Sequence, residues 1–284
     1  MRTAWRATLG SVLVLAALIA PSTAAEAPRR VVSINLCTDQ LLLALADPSQ
    51  IAGLGPYARD PERSFFAARA MPFPSLSGKA EDVLVRHPDL VLAGRFTRRE
   101  TRDLLAAKGL TLMTLAPARS IAETEAHIRM IGDALGHPER AAAEIAHIEA
   151  ALARARAAAA KRPLRVLGVS RRGWISGTDS LSASLLSAVG LANAARDLGI
   201  GTGGFASLEQ IVAAGPDLLL MEEHTTAAED QGQAFLLHPA LMRLYPPDKR
   251  ILLPERLITC GGPMLAEAID RLTTELKRVE GQEK

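Results

Sequence analysis

Five arginines of this 284-residue chain follow short apolar runs that read as strands: Arg59, Arg95, Arg171, Arg172 and Arg256. A guanidinium is a rigid fork of donors suited to carboxylates and other anionic oxygens. Tyr57, Trp174 and His224 stand in the same loops. The "EEH" at 222–224 holds two carboxylates and an imidazole, but no His/Asp/Glu set with metal-ligand spacing accompanies it, so no resident metal and no cofactor are expected. Cys37 and Cys260 also fall in loops after strands. Two cysteines in an oxidising compartment usually pair, provided their Cα atoms come within about 7 Å. The sequence leaves open a disulfide, two buried thiols, or a thiolate pair facing a ligand. It contains no GxSxG, HExxH, phosphate loop or CxxC.

The elements that must position these residues repeat. "AEDVLVRHPDLVLAG" (80–94) and "LEQIVAAGPDLLLME" (208–222) each set a Glu at the opening of a short helix, then a Pro-Asp stop, then a buried apolar strand. A repeat this far apart is no solenoid period and implies two similar lobes. Strand-like runs at 29–36, in "IAGLG" and in "LTLMTLA" alternate with helical stretches, and the pattern restarts at "PLRVLGVS". Such alternation predicts parallel βαβ units. Between the halves, "SIAETEAHIRMIGDALG" opens with a capping-box pattern. The Ala-rich run from Pro138 to Pro163 has no internal Gly or Pro, so a long stiff connecting helix is predicted.

Arg2 and Arg6, an apolar run from Leu9 to Ala20 and the small residues of "STAAEA" have the order of a secretory leader, with cleavage fitting after Ala25 and left open between it and Ala24 or Ala27. The expected organisation is therefore a signal peptide over 1–25, an N-terminal lobe over 26–136, a connecting helix over 137–162 and a C-terminal lobe over 163–284. Of 33 basic residues two lie in the leader, which leaves the mature chain balanced against 31 acidic ones. A nucleic-acid partner, which calls for a basic stripe with aromatics, is not expected.

The opening "RVVSINLCTDQLLLALAD", the doubled Glu–Pro-Asp unit, the long middle helix and the closing "GGPMLAEAIDRL" together resemble the periplasmic substrate-binding proteins of ABC importers for ferric siderophores, haem and cobalamin. The likeness runs from about residue 30 to 275. It implies an α/β fold of two similar lobes with mainly parallel sheets, joined by one rigid helix, with the ligand in the cleft between them. It also implies that Glu81 and Glu209 dock onto arginines of a dimeric permease in the inner membrane. The expected function is capture of a metal chelate, a ferric siderophore first, by a monomeric periplasmic protein that is not an enzyme. The expected contacts are Cys37, Tyr57, Arg59, Arg95, Arg171, Arg172, Trp174, His224, Arg256 and Cys260. Haem and cobalamin are the alternatives within the family, though "PSLSGKA" and "GTGGFAS" lack the aromatics of a cobalamin cleft. From another class, a tetrapyrrole or metal chelatase on a similar scaffold would use Glu223 with His224. Fold alone does not decide between them.

Overall fold

Each half of the chain lays down its own parallel sheet in a computed structural model that describes residues 26–158, 163–223 and 231–282. The leader expected over 1–25 and His224 lie outside those residues. The first half runs β1 (Val31–Ser33), α1 (Leu36–Leu45), β2 (Ile51–Gly53), α2 (Ala67–Ala70), α3 (Ala80–Leu84), β3 (Leu90–Gly94), α4 (Arg99–Ala107) and β4 (Leu112–Leu115). Its sheet has the order β2-β1-β3-β4, all parallel. Two helices follow, α5 (Ile121–Leu135) and α6 (Pro138–Ala157). The second half runs β5 (Arg165–Ser170), β6 (Trp174–Ile175), α7 (Leu181–Ala188), β7 (Ala192–Asn193), β8 (Gly204–Phe205), α8 (Leu208–Ala214) and β9 (Leu218–Glu223). It ends with α9 (Gln231–Leu236), α10 (Pro239–Leu244), β10 (Arg250–Pro254), α11 (Glu255–Ile258) and α12 (Leu265–Gln282). Here β10, β9, β5 and β7 pair in parallel, while β6 and β8 add an antiparallel flap.

The flap lies where the sequence itself reads as a loop, "RRGWISGTDS" (171–180), and as a Gly-rich turn, "LGIGTGGF" (198–205). Strands of two residues are too short to show an alternating pattern. The capping box at Ser120 is also half redirected. Ser120 accepts from the Glu123 N–H at 3.0 Å, but the Glu123 carboxylate turns to the N–H of Arg119, at 2.8 Å.

The repeated Pro-Asp pair has one structural task in both lobes. Asp89 accepts from the backbone N–H of Arg29 and Arg30, at 2.7 and 3.0 Å, just ahead of β1. Asp217 accepts from the N–H of Arg165, the first residue of β5, at 2.7 Å. Arg30 reaches back to the Arg86 carbonyl at 2.5 Å, and Arg165 to the carbonyls of Ala214 and Gly215 at 2.6 and 3.0 Å. Those are carbonyls that a helix end leaves unsatisfied. The residue before each proline is left-handed: Gly215 at φ 53° and His87 at φ 46°. Glycine takes this conformation freely, whereas a side chain strains it. Asp89→Ala and Asp217→Ala are expected to lower stability by about 1–3 kcal/mol each. Urea denaturation reads the loss, and a wild-type midpoint in either variant contradicts the clamp.

One core cluster runs through both lobes. It joins Val31 and Leu92 of the first sheet to Val166 and Leu218 of the second through Ile128, Ile148 and Ile269 of α5, α6 and α12. The connecting helix α6 packs against α5 on one side and α12 on the other. Arg154 of α6 pairs with Asp270 of α12 at 2.6 Å. An interlobe region built this way resists hinge bending, since packed helices slide only slightly. Among the described residues no helix is long and apolar enough to cross a membrane.

Candidate functional site

In open parallel sheets, ligands bind beyond the carboxyl ends of the strands. Here the segments after β1, β3, β4, β5 and β10, with the last residues of β9, converge on two neighbouring hollows that share Thr259. The larger, about 350 Å³, is walled by Ser170, Arg171, Trp174, Ser176 and Glu222 of the C-terminal lobe. The smaller, about 80 Å³, lies at the lobe junction among Asn35, Cys37, Arg95, Phe96, His127 and Cys260.

The cysteine question resolves as a disulfide. Cys37, in the first turn of α1, and Cys260, after α11, are bonded with their Cα atoms 5.2 Å apart. The bond ties the lobes together at the floor of the cleft. Asn35 caps α1 by accepting the Cys37 N–H at 3.0 Å, which holds that cysteine in place. Gly94 has to be glycine because a Cβ there would meet the Asn35 amide at 2.5 Å. Two further links cross between the lobes. Arg119 pairs with Asp179 at 2.6 Å, and the Ile121 N–H donates to Ser184 Oγ at 3.1 Å. Exposed ion pairs such as the first contribute under about 1 kcal/mol, so these links set geometry more than stability.

Trp174 lies on the flap, 40% exposed, with its ring edge-on to Phe205 at 5.0 Å. Gly203, at φ 134°, makes room for the indole: a Cβ there would sit 2.6 Å from the ring. Ser170 donates to Glu222 at 3.1 Å beside it. Glu223 is held by Arg271 at 3.4 Å.

On the N-terminal lobe the loop after β2 presents Tyr57, 50% exposed, with the Arg63 guanidinium 4.8 Å from its ring centroid. The root of this loop is held by Asp39, which is fully buried and accepts the Gly55 N–H at 3.0 Å. Burial raises the Asp39 carboxyl to about 7, against the smaller opposing pull of its hydrogen bonds with Gly55 and Ser33. Its Oδ2 is buried and has no hydrogen-bond partner among the described residues.

The structure brings Cys37, Arg95, Arg171, Trp174 and Cys260 to the two hollows. Arg59 is turned inward instead. Its guanidinium bonds to the Phe73 carbonyl of its own lobe and its Nε is buried. Arg172, at φ 59°, Arg256, in α11, and Tyr57, in the loop after β2, stand outside both linings. His127 and Phe205 were not expected. His127 sits on an amphipathic helix, where a lone histidine carries no signal, and Phe205 sits in a glycine-rich stretch.

Glu81 and Glu209 occupy the first turns of α3 and α8, both exposed, each one element ahead of a central strand of its sheet. A hydrogen bond with Ser207 is the first cause that lowers the Glu209 carboxyl below its ordinary range.

Two lobes with facing strand ends and a walled cleft define a bilobal binding protein. Residues 31–245 match the periplasmic binding protein family, and the chain belongs to that family of substrate-binding transport proteins. Among solved structures it is similar to the periplasmic haem-binding protein RhuT from Roseiflexus sp. RS-1 in its apo form. That match has 27% identity and a TM-score of 0.72, covering 88% of this chain and 98% of that one. A periplasmic haem-binding protein from Pseudomonas aeruginosa matches at 22% identity and a TM-score of 0.72, over 87% and 92% of the two chains. The haem-binding protein BhuT, in complex with two haems, matches at 23% and 0.71, over 87% and 98%. The latter two show the shared fold. No curated protein sequence matches the chain.

Proposed function

We propose that this protein is the substrate-binding component of an ABC importer, that it works in the periplasm as a monomer, and that its cargo is an iron chelate, haem first. The observation that carries the reading is the make-up of the cleft wall. Arg95 and Phe96 line the smaller hollow and Arg171 and Trp174 the larger, with Phe205 packed edge-on against Trp174, so a guanidinium accompanies an exposed aromatic face in each. An apolar surface edged with cations suits a bulky chelate that carries anionic groups. Haem moves ahead of the ferric siderophore because of the likeness to RhuT and because Tyr57 offers an exposed phenol oxygen, a ligand that haem iron accepts. A siderophore is the second reading, favoured by the hydroxyls of Ser170, Ser176 and Ser182 around the larger hollow. The chelatase reading loses ground, since the Glu223 carboxylate is engaged by Arg271.

Delivery would use Glu81 and Glu209. Equivalent carboxylates on two similar lobes match the equivalent cations of a dimeric permease, and such pairs aid orientation and encounter rate. In a strain dependent on this protein for growth on haem iron, Glu81→Lys with Glu209→Lys is expected to cut uptake at least about tenfold, because like charges then face each other. The purified variant is expected to bind haem as the wild type does. Undiminished uptake would remove the docking assignment, and growth on haem without the protein would remove the transport reading.

A further inference from the structure

We infer that the small hollow at the lobe junction is a subsite for a carboxylate arm of the cargo, gripped by Arg95 and His127. The inference rests on the chelate-binding reading above and says which chelates the cleft prefers.

The hollow is small, about 80 Å³. That is room for two or three waters. A carboxylate fits, whereas a macrocycle or a whole chelate does not. Its chemistry is one-sided. Among the described residues no Asp or Glu lines it, while Arg95 and His127 both do. The larger hollow differs, because Glu222 stands there beside Arg171. Asn35 adds donors. Its amide oxygen is occupied by the Cys37 N–H, which leaves the amide N–H groups for an acceptor.

His127 is half-buried on α5, and its side chain has no hydrogen bond or ion pair among the described residues. His137, by contrast, is bonded to Gln50 at 2.9 Å. Burial lowers the His127 imidazole below its ordinary range, and Glu123 one turn earlier pulls the other way. The Glu123 carboxylate is already bonded to the Arg119 N–H. A partly desolvated donor without a partner lacks an acceptor, and an arriving carboxylate supplies one with charge-assisted strength. The disulfide and Gly261 line the hollow, and Arg95 and Phe96 of its lining are exposed, which leaves a way in for the arm past them.

The test compares cargoes that differ only at the arm. The mature protein is titrated with haem and with haem dimethyl ester, whose propionates are neutral, following the absorption of the bound porphyrin. Ferric citrate and the carboxylate-free ferrioxamine form a second pair, followed by calorimetry. His127→Gln and Arg95→Gln are measured alongside, with melting temperature as the folding control. The free acid is expected to bind about tenfold or more tighter than the ester. Each variant is expected to lose most of that preference while keeping its affinity for the ester. Equal affinity for acid and ester, with citrate no better than ferrioxamine, overturns the subsite and leaves chelate binding standing. A preference that survives in both variants also overturns it. Failure of all four chelates to bind overturns the chelate reading, and the subsite falls with it.

Discussion

Replacing Cys37 and Cys260 together by serine is expected to lower the unfolding free energy by about 2–5 kcal/mol. The bond closes a loop across 223 residues of sequence separation, and loop closure limits the unfolded chain more as the loop grows. In a chain of this size the loss corresponds to a fall in melting temperature of about 5–15 °C. The lobes are expected to stay together, because one apolar cluster already joins them through α5, α6 and α12. The variant should therefore be a folded, less stable protein with a looser cleft floor. Wild-type protein melted with and without a dithiol reductant should show the same difference. A melting temperature indifferent to reductant, or thiols that react without reductant in the denatured chain, contradicts the disulfide.

The second large effect concerns Asp39. Burial holds this carboxyl protonated in the folded protein up to about pH 7, whereas in the unfolded chain it ionises near its ordinary value of 3.8. Between those values the folded state holds a proton that the unfolded state has released, so stability falls as pH rises through the window. A shift of this size corresponds to a few kcal/mol, on the order of 4. Asp39→Asn keeps an oxygen for the Gly55 N–H and cannot ionise. Denaturation of both proteins between pH 4.5 and 8 should show the wild type losing stability relative to the variant by at least about 2 kcal/mol across the range. Parallel curves would mean that the buried carboxyl does not titrate there. Asp39 also anchors Gly55, so a change at this residue should reach Tyr57 two positions on.

Much of the architecture was legible before any coordinates. The doubled Glu–Pro-Asp unit announced two lobes because the same packing problem, ending a helix and entering a central strand, has the same solution twice. The partners of that solution, Arg30 and Arg165, were not legible, since an arginine at a strand start has no distinctive pattern. The helix over Pro138–Ala157 was readable from its Ala-rich run without internal Gly or Pro. The linings of the two hollows were readable in part. Arg95, Arg171 and Trp174 could be placed because loops after parallel strands face the cleft. Arg59 shares that position, but its guanidinium found a nearer carbonyl at Phe73, which depends on how a loop packs. The cysteine pair stayed open because proximity across two lobes is a tertiary fact. His127 was hidden for the same reason: helix spacing tells which face a residue is on, not which hollow that face borders. Asp39 reads as an ordinary acid in a first helical turn, and only its complete burial sets it apart.

The most direct test of the central claim is an equilibrium titration of the mature protein with haem, followed by tryptophan fluorescence and calorimetry. Trp5 lies within the expected leader, so after cleavage Trp174 is the only tryptophan, and it lines the larger hollow. Saturable one-to-one quenching with matching heat is the predicted result. Saturation by a ferric siderophore in place of haem would keep the transport reading and change its cargo. Silence in both signals across haem, ferric siderophores and cobalamin would contradict the claim that this cleft holds a metal chelate.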